Sequence, residues 1–361
     1  MGSGIIPKTS EFEQKSHFIR NVHSPLATSY SQKRLNQHLL YSPYVHIQQW
    51  IIQKIMRIIF MGTPEFSVEF LKHLIKGEHD VIAVATQPDK PKGRGLELLA
   101  PPVKIAAQEM NIPVLQPDSV KKTEFAEELK KLNADIFVVV AFSILPKEVL
   151  AVSKLGAINI HGSLLPKYRG AAPAQWAIAN CEKTTGLTVF LLDEKMDHGP
   201  ILEQREIEIE QNETTESLLK KMSVPGCEAL DAALLKLQNG NFTRLEQEHS
   251  MASSAPKLKK EDALIDWNMS AQKIHKRLCA FTPWPGTYTN LNGQKIFIRK
   301  TVVSNNAKKL KPGEIFIQKN DVFAGTENGI LEILEVQAEG KKRMPAADYF
   351  RGATGDSHCF G

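Results

Sequence analysis

The chain has 361 residues, more than one typical core accommodates, so two or more domains are expected. It is 42% hydrophobic and 24% charged, as a soluble globular protein is, and no run approaches the ~20 apolar residues that span a bilayer, which excludes a membrane-spanning helix. The net charge of +5 is uneven: residues 1–55 hold six Lys/Arg against two Asp/Glu, residues 56–255 hold 22 against 27, and residues 256–361 hold 17 against 11. The basic C-terminal segment suits a polyanion such as RNA, although a solvated lysine-rich face carries the same charge. Cys181, Cys227, Cys279 and Cys359 lie far apart with no C-x-x-C pair, which argues against a zinc site or a disulfide framework and for free thiols.

Residues 1–55 show little periodicity until "HIQQWIIQKIM" and read as a poorly ordered, non-catalytic extension or leader. Their basic, acid-poor composition is shared with organelle transit peptides. The expected location is therefore the cytoplasm, or the mitochondrial matrix if 1–55 is a transit peptide. From Arg57 the pattern is regular. "RIIFMG" is a buried strand. Pro64 opens a helix whose Phe66, Phe70, Leu71 and Leu74 recur at helical spacing before Gly77. "DVIAVAT", "IPVLQP", "ADIFVVVAF" and "AINIHG" follow as strands, with helices at "PPVKIAAQEM" and "EFAEELKKL" and a short one before "AINIHG". Alternating β and α with near-continuous apolar strands implies a parallel sheet covered on both faces. "LTVFLLD" and "ILEQREIEI" add strands, and "TTESLLKKMSVPGCEALDAALLKLQNG" is a long helix expected to be perturbed at Pro225-Gly226.

The polar stretch 241–262 reads as a linker. Beyond it come a helix ("SAQKIHKRLCAF") and short strands with Gly/Asn turns, the signature of a small barrel. The expected fold is thus α/β, a doubly wound, mostly parallel Rossmann-like sheet over 56–240, followed by a small OB-like β-barrel over 263–361.

The first βα turn, "MGTPEF", is not G-x-G-x-x-G, and no P-loop or G-x-S-x-G occurs, so a nicotinamide, a P-loop nucleotide site and a serine nucleophile are disfavoured. In a doubly wound sheet the ligand crevice lies beyond the C-terminal strand ends. Asn159 and His161, two apart on "AINIHG", share a strand face at one such end. Asp197, in "EKMDHGPI", follows another strand and can return to the crevice. This set suits acyl transfer to an amine. Amide and imidazolium N–H groups donate to the developing oxyanion, each donor being worth roughly 3–4 kcal/mol, and the carboxylate helps move the amine proton. An Asn and a His on one strand face are more often hydrogen-bonded structural residues, and an Asp in a Gly-Pro turn is more often a turn or cap residue; by chemistry alone His198 is a lesser rival to His161.

"HGSLLPKYRGAAP", preceded by Asn159 and followed by "MDHGPI", closely resembles the formyltransferase family that uses 10-formyltetrahydrofolate. Within it, "RIIFMGTPEFS", "TQPDKPKGRG", "PPVKIAA" and "FTPWPGTY" are similar to the members that formylate methionyl initiator tRNA for translation initiation. The resemblance covers residues 56–361. It implies a monomeric, metal-free enzyme in which Asn159, His161 and Asp197 are catalytic and Ser163, Leu164, Leu165 and Pro166 bind the folate. It further implies that the loop 87–102, through Lys90, Lys92 and above all Arg94, meets the acceptor end of the tRNA, while Lys257, Lys259, Lys260, Lys341, Lys342 and Arg343 bind its outside. The loop "AFSILP" (141–146) is one residue shorter than the family form and touches the expected folate wall. A formyl-folate enzyme acting on a small amine and a non-catalytic tRNA-binding relative are the alternatives.

Overall fold

The computed structural model describes residues 55–92, 97–240, 243–351 and 359–361. The extension assigned to 1–55, apart from its last residue, and Arg94 lie outside the described residues.

The first half contains β1 (Arg57–Gly62), α1 (Glu65–Lys76), β2 (Asp80–Ala85), β3 (Lys90–Lys92), β4 (Glu97–Leu99), α2 (Pro102–Glu109), β5 (Val114–Leu115), α3 (Thr123–Lys131), β6 (Ile136–Val140), α4 (Lys147–Leu150), β7 (Ala157–His161), α5 (Pro173–Ala179), β8 (Thr184–Leu191), β9 (Ile201–Glu208) and α6 (Thr215–Asn239). Seven strands form one sheet in the order β5-β2-β1-β6-β7-β8-β9. The first five are parallel, and β8 and β9 continue the sheet antiparallel. The apolar strands are explained by a core on each face. Ile58, Phe60, Val138 and Ile160 point to one, under α1 and α6. Ile59, Met61, Phe137, Val139 and Ala157 point to the other, against Phe125 and Leu129 of α3.

The chain runs outward from β1 to β2 and β5, then returns to the other side of β1 as β6. That reversal opens a crevice beyond the C-terminal ends of β1 and β6. Asn159 and His161 continue the Ala157 face of β7 beside it.

Three local features differ from the sequence-based expectation. The segment 87–102 is not wholly a loop, because β3 and β4 pair as a small antiparallel hairpin. Three-residue strands containing a proline are too short to show a period. The helix α5 was not expected, since "PAQWAIA" is nearly all apolar, and the structure buries Ala174, Ala177, Ile178 and Ala179. Helix α6 runs unbroken through Pro225, held at its start by a Thr214–Ser217 capping box. Gly226 then lets the helix approach α1 and β8 closely, for a Cβ there would lie 2.7 Å from the Phe70 ring.

The second half begins with α7 (Ala271–Phe281), followed by β10 (Tyr288–Leu291), β11 (Gln294–Ser304), β12 (Ile315–Gln318), β13 (Asp321–Gly325), β14 (Ile330–Ala338), β15 (Met344–Pro345) and α8 (Ala346–Phe350). The strands form an antiparallel sheet in the order β10-β11-β14-β13-β12, with β15 on β14. Its core includes Trp267, Ile274, Ile296, Ile298 and Leu331. Among the described strands, β10 and β12 are edges that do not pair with each other. Residues 359–361 lie between them, with Gly361 bonded to Asn290 and Phe360 to Gly313. Trp176 of α5 meets Phe281 of α7 edge to face at 5.7 Å, joining the two halves. Among the described residues, no helix is long and apolar enough to cross a membrane.

Gly226→Ala is expected to destabilise the protein by about 1–3 kcal/mol through overpacking against Phe70, read as a lower urea midpoint with an unchanged m-value.

Candidate active site

A cavity of about 1000 Å³ opens at the crevice. Its walls come from the residues after β1 (Pro64–Phe66), the loop after β6 (residues 141–145), the end of β7 (residues 159–162) and the excursion between β8 and β9 (residues 192–197). Phe142, Ile144 and Leu145 make one side apolar, while Asn159, His161 and Asp197 gather at a polar end. The structure therefore brings the three expected catalytic residues to one cavity.

The His161 ring is 5% exposed. Its Nε2 lies 2.8 Å from the carbonyl oxygen of Tyr168, so Nε2–H donates there. Its other nitrogen, Nδ1, faces Asp197 Oδ2 across 3.8 Å. That leaves Nδ1 as the ring nitrogen not committed to the main chain. The Asp197 carboxylate accepts from the Gly170 N–H at 2.8 Å. Asp197 sits in the left-handed region, φ 49°, at the tip of its excursion. Asn159 lines the cavity, and its side-chain amide makes no hydrogen bond with any other described residue, so that amide is available to an incoming group.

Both outer partners of the His–Asp pair are main-chain groups of Tyr168–Gly170. This stretch is held from outside by the segment after α6. Tyr168 N–H donates to Ser253 Oγ at 2.9 Å. Arg169 N–H donates to the Ser253 carbonyl at 2.8 Å, and Ala255 N–H to the Arg169 carbonyl. Gly170 has φ 128°, and a Cβ there would lie 2.5 Å from the Ala255 carbonyl oxygen, so only glycine fits. Residues 245–256 of the segment read as a linker are thus bonded along the α/β half. Inside the turn, the Tyr168 hydroxyl donates to Glu182 at 2.7 Å and accepts from Asn180. Burial, followed by the hydrogen bond to Glu182, pushes the Tyr168 phenol up to about 12.

The remaining expected residues are placed differently. Ser163–Pro166 do not line the cavity. Ser163 and Leu165 are buried and their groups are used internally: Ser163 Oγ donates to the Lys167 carbonyl, and the Leu165 N–H to Thr188 Oγ1. His198 does not line the cavity either; its Nδ1 is 2.6 Å from Asp193 and its ring stacks on His249. Lys90 is exposed on the hairpin, with Nζ on Gln87. At the hairpin's base, hydrogen bonds from Gln116 and Lys104 hold the Asp89 carboxyl below its ordinary range. Lys257, Lys259, Lys260, Lys341 and Lys342 are exposed, and the Arg343 guanidinium pairs with Glu335.

Sequence reasoning missed Lys295 and Arg299. Lys295 Nζ lies over the Tyr288 ring at 3.7 Å, and Arg299 over Phe297 at 4.5 Å. The signal was present: Lys295, Phe297 and Arg299 alternate with buried Ile296 and Ile298, a basic–aromatic face at strand period. It also missed Tyr168, Gly170, Gln247 and Ser253 as supports. Among the described residues, no group of three or more His, Cys, Asp or Glu could hold a metal ion.

The chain belongs to the formyl transferase family of group-transfer enzymes. The family's "Formyl transferase" model matches residues 56–234, and its "Formyl transferase, C-terminal domain" model matches residues 257–354. The chain is similar to methionyl-tRNA formyltransferase of Geobacter metallireducens, 46% identical over 299 residues, which cover 82% of this chain and 96% of that protein. It is also 46% identical over 297 residues to methionyl-tRNA formyltransferase of Thermodesulfovibrio yellowstonii, covering 82% and 95%. Among solved structures, HypX from Aquifex aeolicus in complex with tetrahydrofolic acid shares the fold, with TM-score 0.58 at 19% identity, over 85% of this chain and 51% of that one.

An alkaline difference titration at 295 nm is expected to find one phenol ionising near pH 12, and Tyr168→Phe removes it. Because the folded-state value lies above the ordinary 10, the stability linked to Tyr168 is complete below pH 10 and is lost as the pH rises toward 12.

Proposed function

We propose that the protein transfers the formyl group of 10-formyltetrahydrofolate to the α-amino group of methionyl initiator tRNA, in translation initiation. The observation that carries this reading is the polar end of the cavity: an unbonded Asn159 amide beside a His161 whose one uncommitted nitrogen faces Asp197. The names of the 42–46% identical relatives supply the acceptor.

The cavity suits the donor. Its apolar wall at Phe142, Ile144 and Leu145 fits an aromatic pterin, and its volume is of the size that holds a drug-sized ligand, about 300–1,000 Å³. Residues Ser163–Pro166 serve the folate site by shaping the turn behind it. The amine attacks the formyl carbon, forming a new C–N bond and placing negative charge on the formyl oxygen. Asn159 Nδ2–H and His161 Nδ1–H donate to that oxygen. The ammonium proton passes to Asp197, directly or through water, and then to N10 of the folate as the old C–N10 bond breaks. No covalent enzyme intermediate is needed.

The antiparallel half suits the RNA partner. We read it as an OB-like barrel in which residues 359–361 fill the gap between β10 and the segment before β12. Lys90, Lys92 and Arg94 would meet the acceptor end, and Lys257, Lys259, Lys260, Lys341, Lys342 and Arg343 the outer surface, with Lys295 and Arg299 added from the basic–aromatic face of β11. The proposed domains are 56–240 and 263–361, and the proposed setting is a cytoplasmic monomer.

The test is formylation of methionyl initiator tRNA by the purified protein with 10-formyltetrahydrofolate. His161→Ala and Asn159→Ala are each expected to lower kcat by roughly 10²–10³-fold. Formylation of a small amine but not of the aminoacyl-tRNA moves the acceptor; RNA binding without formyl transfer leaves a non-catalytic relative. Lys295→Ala with Arg299→Ala is expected to raise KM for the tRNA, leave kcat unchanged and flatten the dependence of KM on salt.

A further inference from the structure

Asp197 and the Tyr168–Gly170 turn lie on different segments, yet the proposed chemistry needs them in register to a fraction of an ångström. One side chain, outside the cavity, touches both. Gln247, 5% exposed, lies on the segment between α6 and α7. Its Nε2 donates to the Asp197 carbonyl at 3.0 Å and to the Gly199 carbonyl at 2.8 Å. Its Oε1 accepts from Arg169 Nε at 3.2 Å and Nη2 at 2.5 Å. Both amide hydrogens and both lone pairs of the carboxamide are therefore used. Arg169 stands between Tyr168, which holds His161, and Gly170, which holds Asp197. Among the described residues, no main-chain-to-main-chain hydrogen bond ties residues 193–199 to another segment, so Gln247 supplies the anchor of the Asp197 main chain.

We infer that Gln247 is a positioning residue: it sets the Asp197 carboxylate against His161 Nδ1 by clamping the excursion 193–199 to the Tyr168–Gly170 turn. It does not line the cavity and acts through Asp197 and Arg169. The inference rests on the reading that His161 and Asp197 carry the formyl transfer. The segment that carries Gln247 also leads into the second half of the chain, so the α/β cavity takes part of its geometry from a segment outside the sheet.

Glutamate tests this cleanly. It matches glutamine in shape and still accepts from Arg169, but it has no N–H and sets a carboxylate against two carbonyls. Gln247→Glu is expected to lower kcat roughly 10–100-fold, as a misplacement of about 1 Å does, with KM for the folate and the tRNA within about twofold of the unaltered protein. In Asp197→Asn the added Gln247→Glu change is expected to cost nothing further. Unchanged kcat, or losses that multiply in the double variant, would overturn the proposal. Gln247→Met, which removes the donors without adding charge, gives the same cycle if glutamate unfolds the protein. Hydrogen exchange supplies a readout independent of activity: the Gly170 amide, which donates to Asp197 Oδ2, is expected to exchange faster in Gln247→Glu, and unchanged exchange refutes the clamp. If the unaltered protein forms no formyl-methionine, the functional reading falls while the exchange result still decides the positioning role.

Discussion

The site depends on three consecutive residues whose main chain faces two ways. On the inner side, Tyr168 offers its carbonyl to His161 and Gly170 offers its N–H to Asp197. On the outer side, Tyr168 and Arg169 hydrogen-bond to the segment at Ser253–Ala255. Main-chain groups have no rotamers, so a turn pinned on both sides presents its donor and acceptor at fixed positions. That is the condition for stabilising a charge that appears only in a transition state, since the donors need not reorganise when it forms. The left-handed conformations of Tyr168 and Asp197 are the local strain that this bonding sustains.

The sheet explains why the pair can meet. Reversal of strand order at β1 and β6 leaves an opening that neither flanking helix layer covers. Strand β7 borders it and delivers Asn159 and His161 on one face. Strand β8 runs the opposite way, so its end at Leu191 pairs with Ile158, short of the end of β7 where His161 stands. The excursion 193–199 corrects this by carrying Asp197 back along the sheet, and a segment so displaced from regular structure needs an external anchor.

Much of this was legible in the sequence. The strands were visible because burial on both faces makes them continuously apolar, and Asn159 and His161 because strand period two is unambiguous over "AINIHG". Asp197 was found from its position after a strand, joined to the family motif. The supports were not legible. Gln247 sits in a polar run whose composition is that of any surface segment, and its burial comes from tertiary bonding that no local period encodes. Helix α5 was hidden for the opposite reason, since alanine-rich apolar helices carry no polar face. The turn Ser163–Pro166 was tied to the folate by the family resemblance alone, and its buried hydroxyl and amide groups are bonded to neighbouring protein atoms. The face of Lys295, Phe297 and Arg299 could have been found from alternation alone.

The path of the segment after α6 also bears on how such a chain can be recombined. By composition the natural border falls at Gly240, where the long helix stops. By hydrogen bonding, the stretch from Leu245 through Pro256, which accepts from the Trp176 indole, still belongs to the α/β half. A hybrid spliced at the helix end would receive a foreign strap against its own turn. One spliced after Pro256 would keep the strap with the turn that it fits. The border that hydrogen bonding draws is therefore offset by some fifteen residues from the one that composition suggests, several times the median connection of about 4–6 residues in a compact domain.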